Sequence, residues 1–270
     1  MGFLDHLIGL GLSTGFGDHT VRIGGVKIFA DGSLGARTAA LHASYSDDPS
    51  TKGMMMYSEG ELGELIMKAH RAGLQLAVHA IGDQAVDVVL TAFEKTLKKI
   101  PREDHRHRIE HASVLSEILI SRMKKLGVIA SVQPHFVVSD FWIADRLGPK
   151  RARWTYPFKT LIQHGVPTVG GSDCPVEPIK PLLGIQAAVS RKPFPEEQIS
   201  VDEALLMYTI DAAFASFEED AKGSIEIGKL ADLVVLSHDP RRVPPDEIKG
   251  IVVEKTFVGG RMVHGDSGTM

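Results

Sequence analysis

The stretch SEGELGELIMKAHRAGLQLAVHAIGDQAVDVVLTAFEKTLKK, residues 58–99, decides the fold class. Ser58 with Glu61 three positions later makes a capping box, and Leu62, Leu65, Ile66 and Ala69 recur at helical spacing until Gly73 stops the helix. Residues 74–79 then read as a strand of mostly apolar side chains ending at His79. A second helix occupies roughly residues 84–98, with Val88, Leu90 and Phe93 among its apolar positions. Helix, apolar strand and helix in alternation is the repeat of a parallel sheet covered on both faces.

The same unit recurs on either side. Residues 26–30 read as a buried strand that ends at Asp31 and Gly32, followed by a polar loop to about Lys52. On the other side come a strand at residues 107–110 and a helix at about 116–125 stopped by Gly127. A strand at 128–132 is ended by Pro134, mixed helical segments follow, and another strand lies near 167–171. Ser200 with Glu203 is a further capping box, opening a helix expected to run through Ala213. Beyond it the pattern changes. Residues 231–236 and 251–264 look like strands, the second interrupted by a Gly259–Gly260 turn, with no long helix between them. We divide the chain into an α/β portion, 1–222, and the strands of a small β domain, 223–270. A closed eight-stranded barrel takes about 250 residues, and five strands do not close one, so the sequence reads as part of a fold.

Composition narrows the function. Of 270 residues, 43% are apolar and 24% charged, the balance of an ordinary globular protein. A net charge of -4 without a Lys/Arg run argues against nucleic acid or an anionic membrane as partner. No apolar stretch is long enough to span a bilayer. The N-terminus lacks the basic-then-apolar order of a signal peptide. Cys174 is the single cysteine, which excludes an internal disulfide, fits a cytoplasmic location and is expected to be a buried free thiol. The glycines at 9, 11 and 15 follow no strand and open no clear helix, so they are not read as a dinucleotide loop. Twelve histidines, several beside strands, are the first hint of metal chemistry.

The polar candidates sit where expected strands end. His79 closes LQLAVH, His111 follows HRIE, Gln133 and His135 flank the end of VIASVQP, and Asp173 follows VPTVGGS; Lys27 lies within its strand. Carboxyl-terminal strand ends are where barrel active sites assemble. Two histidines and an aspartate from separate strands suit a divalent ion such as zinc, which lowers the pKa of a water and polarises a carbonyl. Asp173 is suited both to holding such an ion and to taking a proton. Plainer readings stand beside these. A lone strand-end histidine is commonly a satisfied core residue, and Asp173 could cap the turn after Ser172. Lys27 is costly if buried, and merely solvated if its strand is exposed on one side.

GFGDHTVRIGGVKIFADGSLGARTAAL, LQLAVHAIGDQAVD, HRIEHAS, ASVQPHF, GSDCPVEP, YTIDAAFAS and KGSIEIGKLADLVVLSHDP together resemble the amidohydrolase superfamily, in its YtcJ-like, amidohydrolase 3 branch. The resemblance implies a distorted (β/α)8 barrel joined to a β-sandwich, with one or two divalent metals, usually zinc, used to hydrolyse amide, formamide or related carbon–nitrogen bonds. Lys27 matches the strand-four lysine, often carboxylated; His79 and His111 match the strand-five and strand-six histidines, and Asp173 the strand-eight aspartate. Arg37, Gln133 and His135 become candidate substrate contacts, with Trp142 beside them. The strand-one His-x-His pair is not found before Lys27, and the HRH of residues 105–107 lies at the wrong place for it. The implied object is therefore strands four to eight plus the C-terminal part of the sandwich. One metal site is expected, centred on Lys27, His79 and His111, where a complete member has two. Its partners are a small-molecule substrate and either a separate N-terminal half or further copies of itself. The alternative is an inactive remnant that self-associates to cover its open sheet edge.

Overall fold

The computed structural model describes residues 3–265. In chain order the elements are α1 (Phe3–Gly9), β1 (Val26–Phe29), α2 (Glu59–Arg71), β2 (Leu76–Ala80), α3 (Asp83–Lys99), β3 (Arg108–His111), α4 (Glu117–Leu126) and β4 (Ile129–Val132). They continue with α5 (Phe136–Ser139), α6 (Ile143–Ala152), α7 (Phe158–Gln163), β5 (Thr168–Gly170), α8 (Pro181–Ser190), α9 (Val201–Met207) and α10 (Ile210–Ala215). The chain ends in β6 (Leu233–Leu236), β7 (Val253–Val258) and β8 (Arg261–His264). Two compact units result: Met1–Val132 with Asp140–Thr168, and Gln133–Ser139 with Val169–Met270.

The strands β1 to β5 form a five-stranded sheet in that order, and β1 to β4, all in the first unit, pair in parallel. The expected helix–strand–helix repeat is present, and its helices begin where their caps place them. Ser58 and Glu61 form a reciprocal capping box, Ser116 accepts from the Leu119 amide, and Gly127 ends α4 in the left-handed region at φ 66°. Leu62 and Ile66 of α2, Val89 and Phe93 of α3 and Ile120 of α4 are fully buried, as are Leu76, Val78 and Ile109 of the strands. Burying each such side chain contributes on the order of 2 kcal/mol.

Three expectations need correction. The strand at residues 26–30 is not buried on both sides: Lys27 and Phe29 are exposed on one face and Ile28 is buried on the other, and among the described strands β1 stands at the edge of the sheet beside β2. The helix opened by Ser200 does not run through Ala213. It breaks at Tyr208 and Thr209, where Thr209 Oγ1 donates back to the Leu205 carbonyl at 2.7 Å and its backbone turns to φ -126°, ψ -99°. Cys174 is exposed, not buried. In the second unit β6, β7 and β8 form an antiparallel three-stranded sheet, with the expected turn at Gly259 and Gly260. Ile225, Ile227, Val234, Val252 and Val263 in and around it are all exposed.

Buried polar groups fix both ends of the parallel sheet. Beyond β1, the carboxylate of Asp31 accepts from the backbone amides of Ala40 at 2.9 Å, Ile81 at 3.0 Å and Gly82 at 2.9 Å. It thereby ties the loop after β1 to the loop after β2. Gly82 is required there, since a Cβ would lie 1.9 Å from the Ala40 carbonyl oxygen. At the other end of β3 the HRH histidines are structural. His70 donates from Nε2 to the Ile100 carbonyl (2.9 Å), and its Nδ1 accepts from His107 Nε2 (2.8 Å). His107 Nδ1 in turn accepts from the Leu76 amide (3.1 Å). His105 donates from Nε2 to the Leu126 carbonyl (2.8 Å) and accepts from the His107 amide (2.8 Å). Every imidazole in this chain of bonds is neutral, with its tautomer set by its neighbours.

Two outcomes follow. Asp31→Ala strands three buried amides and should cost roughly 3 kcal/mol or more, read as a lowered urea midpoint; a loss below about 1 kcal/mol would show that the two loops hold without it. Burial pushes His107 down to about 2, and lowers His105 and His70 in the same sense. The unfolded chain therefore binds protons below pH 6.5 that the folded chain refuses. Stability should fall from pH 7 to pH 5, with His107 contributing up to about 1.4 kcal/mol per pH unit and His105 and His70 acting in the same direction. Asp31, raised to about 6 by burial, opposes this with one group against three. Denaturation at both pH values, with the His107 ring staying neutral by NMR at pH 5, is the check; a flat or rising profile contradicts it.

Candidate active site

Parallel register brings the candidate residues of the first unit to one face of the sheet. Phe29 lies opposite His79, His79 opposite Glu110, and Glu110 opposite Ser131, while Lys27 precedes Phe29 by two positions on the same face. The contacts agree. Lys27 Nζ stands 5.2 Å from the centre of the Phe29 ring, that ring is 5.1 Å from the His79 imidazole, and His79 is 4.4 Å from the His111 imidazole in an edge-on arrangement. Lys27, His79 and His111 are thus gathered along a single run of contacts.

His111 reaches this face against the strand's alternation. With Glu110 on the Ser131 row, the next side chain would ordinarily point the other way. His111 and Ala112 both adopt left-handed backbone, φ 76° and 44°, which breaks the alternation at the strand end. Non-glycine residues held there cost energy and concentrate at functional sites. Asp173 and Arg37 share the feature, at φ 52° and 55°.

The environment of His79 fixes its chemistry. Its Nε2 lies 2.9 Å from the carbonyl oxygen of Gly32, which can only accept. Nε2 therefore carries the proton, and Nδ1 is the nitrogen with the lone pair. Asp31 Oδ1 lies 3.5 Å from the same Nε2 and backs it electrostatically. Burial raises the Asp31 carboxyl to about 6, against the pull of its three amide donors. Glu110 is in a different balance. Burial alone would raise it, but the Arg108 guanidinium, the Ser131 hydroxyl (2.7 Å) and the Lys27 ammonium together hold it below the usual carboxylate range.

Lys27 is exposed, so the solvated reading of its ammonium holds for this structure and the penalty of burial does not arise. Two buried imidazoles, one with its tautomer preset, are nitrogen ligands of the kind a borderline divalent ion takes, while Lys27 as an ammonium has no lone pair to add. Among the described residues, no group of three or more His, Cys, Asp or Glu side chains is arranged to hold a metal. Of those residue types the run of contacts above contains the two histidines.

Asp173 belongs to the second unit, where its carbonyl accepts from the Val176 amide at 2.9 Å. In that unit His135 Nδ1 meets Glu177 Oε2 at 2.7 Å, with Glu177 buried. Gln133 is buried as well. Arg37 is engaged by Asp47 through Nε at 3.1 Å and Nη2 at 2.9 Å, and Trp142 stacks under Arg146. Sequence reasoning passed over Asp31, Glu110 and Glu177. Asp31 carried the same strand-end signal as His79, and Glu110 becomes visible only once the register is known.

The sequence profile of the Amidohydrolase family (Amidohydro_3) matches residues 2–264. The chain is 44% identical over 254 residues to the protein of Bacillus subtilis (strain 168) named as amidohydrolase YtcJ, covering 90% of this chain and 47% of that one. It is 29% identical over 262 residues to the N-substituted formamide deformylase of Arthrobacter pascens, covering 93% and 47%. An uncharacterized metal-dependent hydrolase of Pyrococcus furiosus superposes with a TM-score of 0.81 at 44% identity, over 88% of this chain and 49% of its own. The chain thus spans about half the length of these relatives. By the profile match over residues 2–264, this chain belongs to the amidohydrolase family.

Proposed function

We propose that this chain supplies strands four to eight of a (β/α)8 barrel and the C-terminal strands of a β-sandwich in a metal-dependent hydrolase of carbon–nitrogen bonds. The observation that carries the reading is the run Lys27, Phe29, His79, His111 on one sheet face, with His79 held in a single tautomer by Gly32. His79 through Nδ1, His111 and Lys27, the last as its carbamate, are the residues that would hold one divalent ion, with zinc the first candidate. Such an ion, when bound, supplies Lewis acidity toward a carbonyl and toward water.

The chain's own groups do the rest. Gly32 and Asp31 hold the His79 ring in place, so that its lone pair is oriented before any ligand arrives. Asp173, assigned by its place in GSDCP, is the carboxylate suited to take a proton from water and to deliver it to a leaving nitrogen. A carbon–oxygen bond forms, the carbon–nitrogen bond breaks, and the amine departs with that proton. The formamide deformylase among the relatives, by its name, acts on an N-substituted formamide, which places amides and N-formyl compounds first among substrates to try.

A second reading, a remnant that associates with copies of itself, draws on the exposed apolar side chains around β6, β7 and β8. Uncovered apolar surface of this kind marks an interaction face. In the hydrolase reading the same surface receives the N-terminal half of the fold. None of the described helices is long and apolar enough to cross a membrane.

Metal content per chain, by elemental mass spectrometry on freshly purified protein, tests the proposal. The expected result is close to one zinc-like ion, reduced at least ~10-fold in His79→Ala and unchanged in the exposed control His164→Ala. Content near zero after addition of zinc and bicarbonate would overturn the hydrolase reading for this chain.

A further inference from the structure

Two segments of the first unit meet at Asp47. One is the loop after β1, residues 31–57; the other follows β4 and includes α6. In the sheet β2 and β3 lie between β1 and β4, and the four strands are parallel, so their carboxyl ends lie together. To touch, the two segments must cross the ends of β2 and β3, where His79 and His111 lie. The loop makes the first part of that crossing. Its Gly32 carbonyl holds His79, and its Ala40 carbonyl accepts from the Gln84 amide of α3 at 3.2 Å. The chain just after α6 makes the last part. There the Trp154 carbonyl accepts from the Leu115 amide at 3.0 Å, and the Tyr156 amide donates to the Ser113 carbonyl at 2.9 Å.

The join between the segments is polar. Arg37 grips the Asp47 carboxylate through two nitrogens from within the loop, and Arg146 of α6 reaches the same carboxylate from the other side. Arg146 also donates to the Gly35 carbonyl at 3.2 Å and lies over the Trp142 ring. Its own carbonyl accepts from the Ser46 amide at 2.8 Å, and Arg151 donates to the carbonyls of Ala43 at 2.9 Å and Ser44 at 2.7 Å. The helix is broken at Gly148, at φ 70° and ψ 163°, where a Cβ would lie 2.9 Å from the Ser46 hydroxyl. Each segment has buried anchors of its own, Leu34, Leu41 and Tyr45 in the loop and Ile143 and Leu147 in α6. The join reaches solvent instead: the side chains of Asp47, Arg37 and Arg146 are 22%, 34% and 17% exposed. Ion pairs in contact with water hold weakly, and segments joined by them open while the elements beside them stay folded.

We propose that Asp47 latches a cover over His79 and His111. Closed, as here, the cover leaves the exposed side of Lys27 and Phe29 as the open way to the two imidazoles. Released, it admits a ligand from the strand-end side as well, in the manner of a gating loop. Arg37 aims the Asp47 carboxylate, Arg146 is the half of the latch that lets go, and Gly148 is the point at which α6 turns. In this role Arg37 and Trp142 serve the cover rather than a substrate. The cover goes beyond the hydrolase reading and depends on it only for what the two imidazoles do.

Hydrogen exchange of residues 31–57 and 140–154 tests the latch, together with labelling of histidines by diethyl pyrocarbonate mapped by mass spectrometry. Both are run on the full chain in EDTA, so that no metal shields the rings. Asp47→Asn keeps the shape and removes the charge. It should speed exchange in both segments and raise labelling of His79 and His111 several-fold. Arg37→Gln, a milder change, should act in the same direction. His70 and His107, buried at the other end of β3, should label as slowly as in the unaltered chain, which separates opening from unfolding. If Asp47→Asn unfolds, Arg37→Gln decides by the same measure. No rise at His79 and His111 in either variant would overturn the latch, as would a rise shared by His70 and His107 in both. Neither readout uses bound metal, so the latch and the hydrolase reading fail separately.

Discussion

The register of four parallel strands is the constraint on which the candidate site depends. Because Phe29, His79, Glu110 and Ser131 occupy one row, residues separated by 102 positions (131 - 29) become neighbours on one face. A slip of one residue between any two strands would send the histidine or the glutamate to the helix side. The register is held from both faces. The apolar residues of the opposite face, Ile28, Val78 and Ile109, are buried. The polar ties at the ends, Asp31 with its three amides and the chain of neutral histidines, accept no other alignment.

Two kinds of histidine therefore serve one sheet. His70, His105 and His107 have their ring nitrogens committed to backbone or to one another, and burial keeps them neutral. His79 differs in that the Gly32 carbonyl fixes the proton on Nε2 and so defines which nitrogen can act as a ligand. Burial alone does not separate the groups, since His79 and His111 are buried too. The separation lies in the partners and in the left-handed backbone at His111, which turns the imidazole toward His79.

Apolar surface in the second unit is left exposed around its three-stranded sheet. Both faces of the three-stranded sheet carry exposed valines, and the turn that leads into it exposes Ile225 and Ile227. Antiparallel sheets normally bury one face.

Local chemistry in the sequence determined much of this protein. The caps at Ser58 and Ser200, the helix start near Ser116, the stop at Gly127 and the alternation of apolar strand with amphipathic helix were all legible, because each is settled within a few residues. His79 and His111 were legible as strand-end histidines, and their family resemblance as a string of short motifs. Tertiary structure alone decided the rest. The exposure of Lys27 is a matter of what packs on its face of the sheet, which the apolar run of residues 26–30 does not encode. The roles of Asp31, Glu110 and Glu177 depend on partners up to 51 residues away. The break at Tyr208 occurs where the ring fills a space that two distant glycines leave open. Periodicity records which face a residue takes; which groups meet on that face is settled by register and packing, and these exist only in the folded chain.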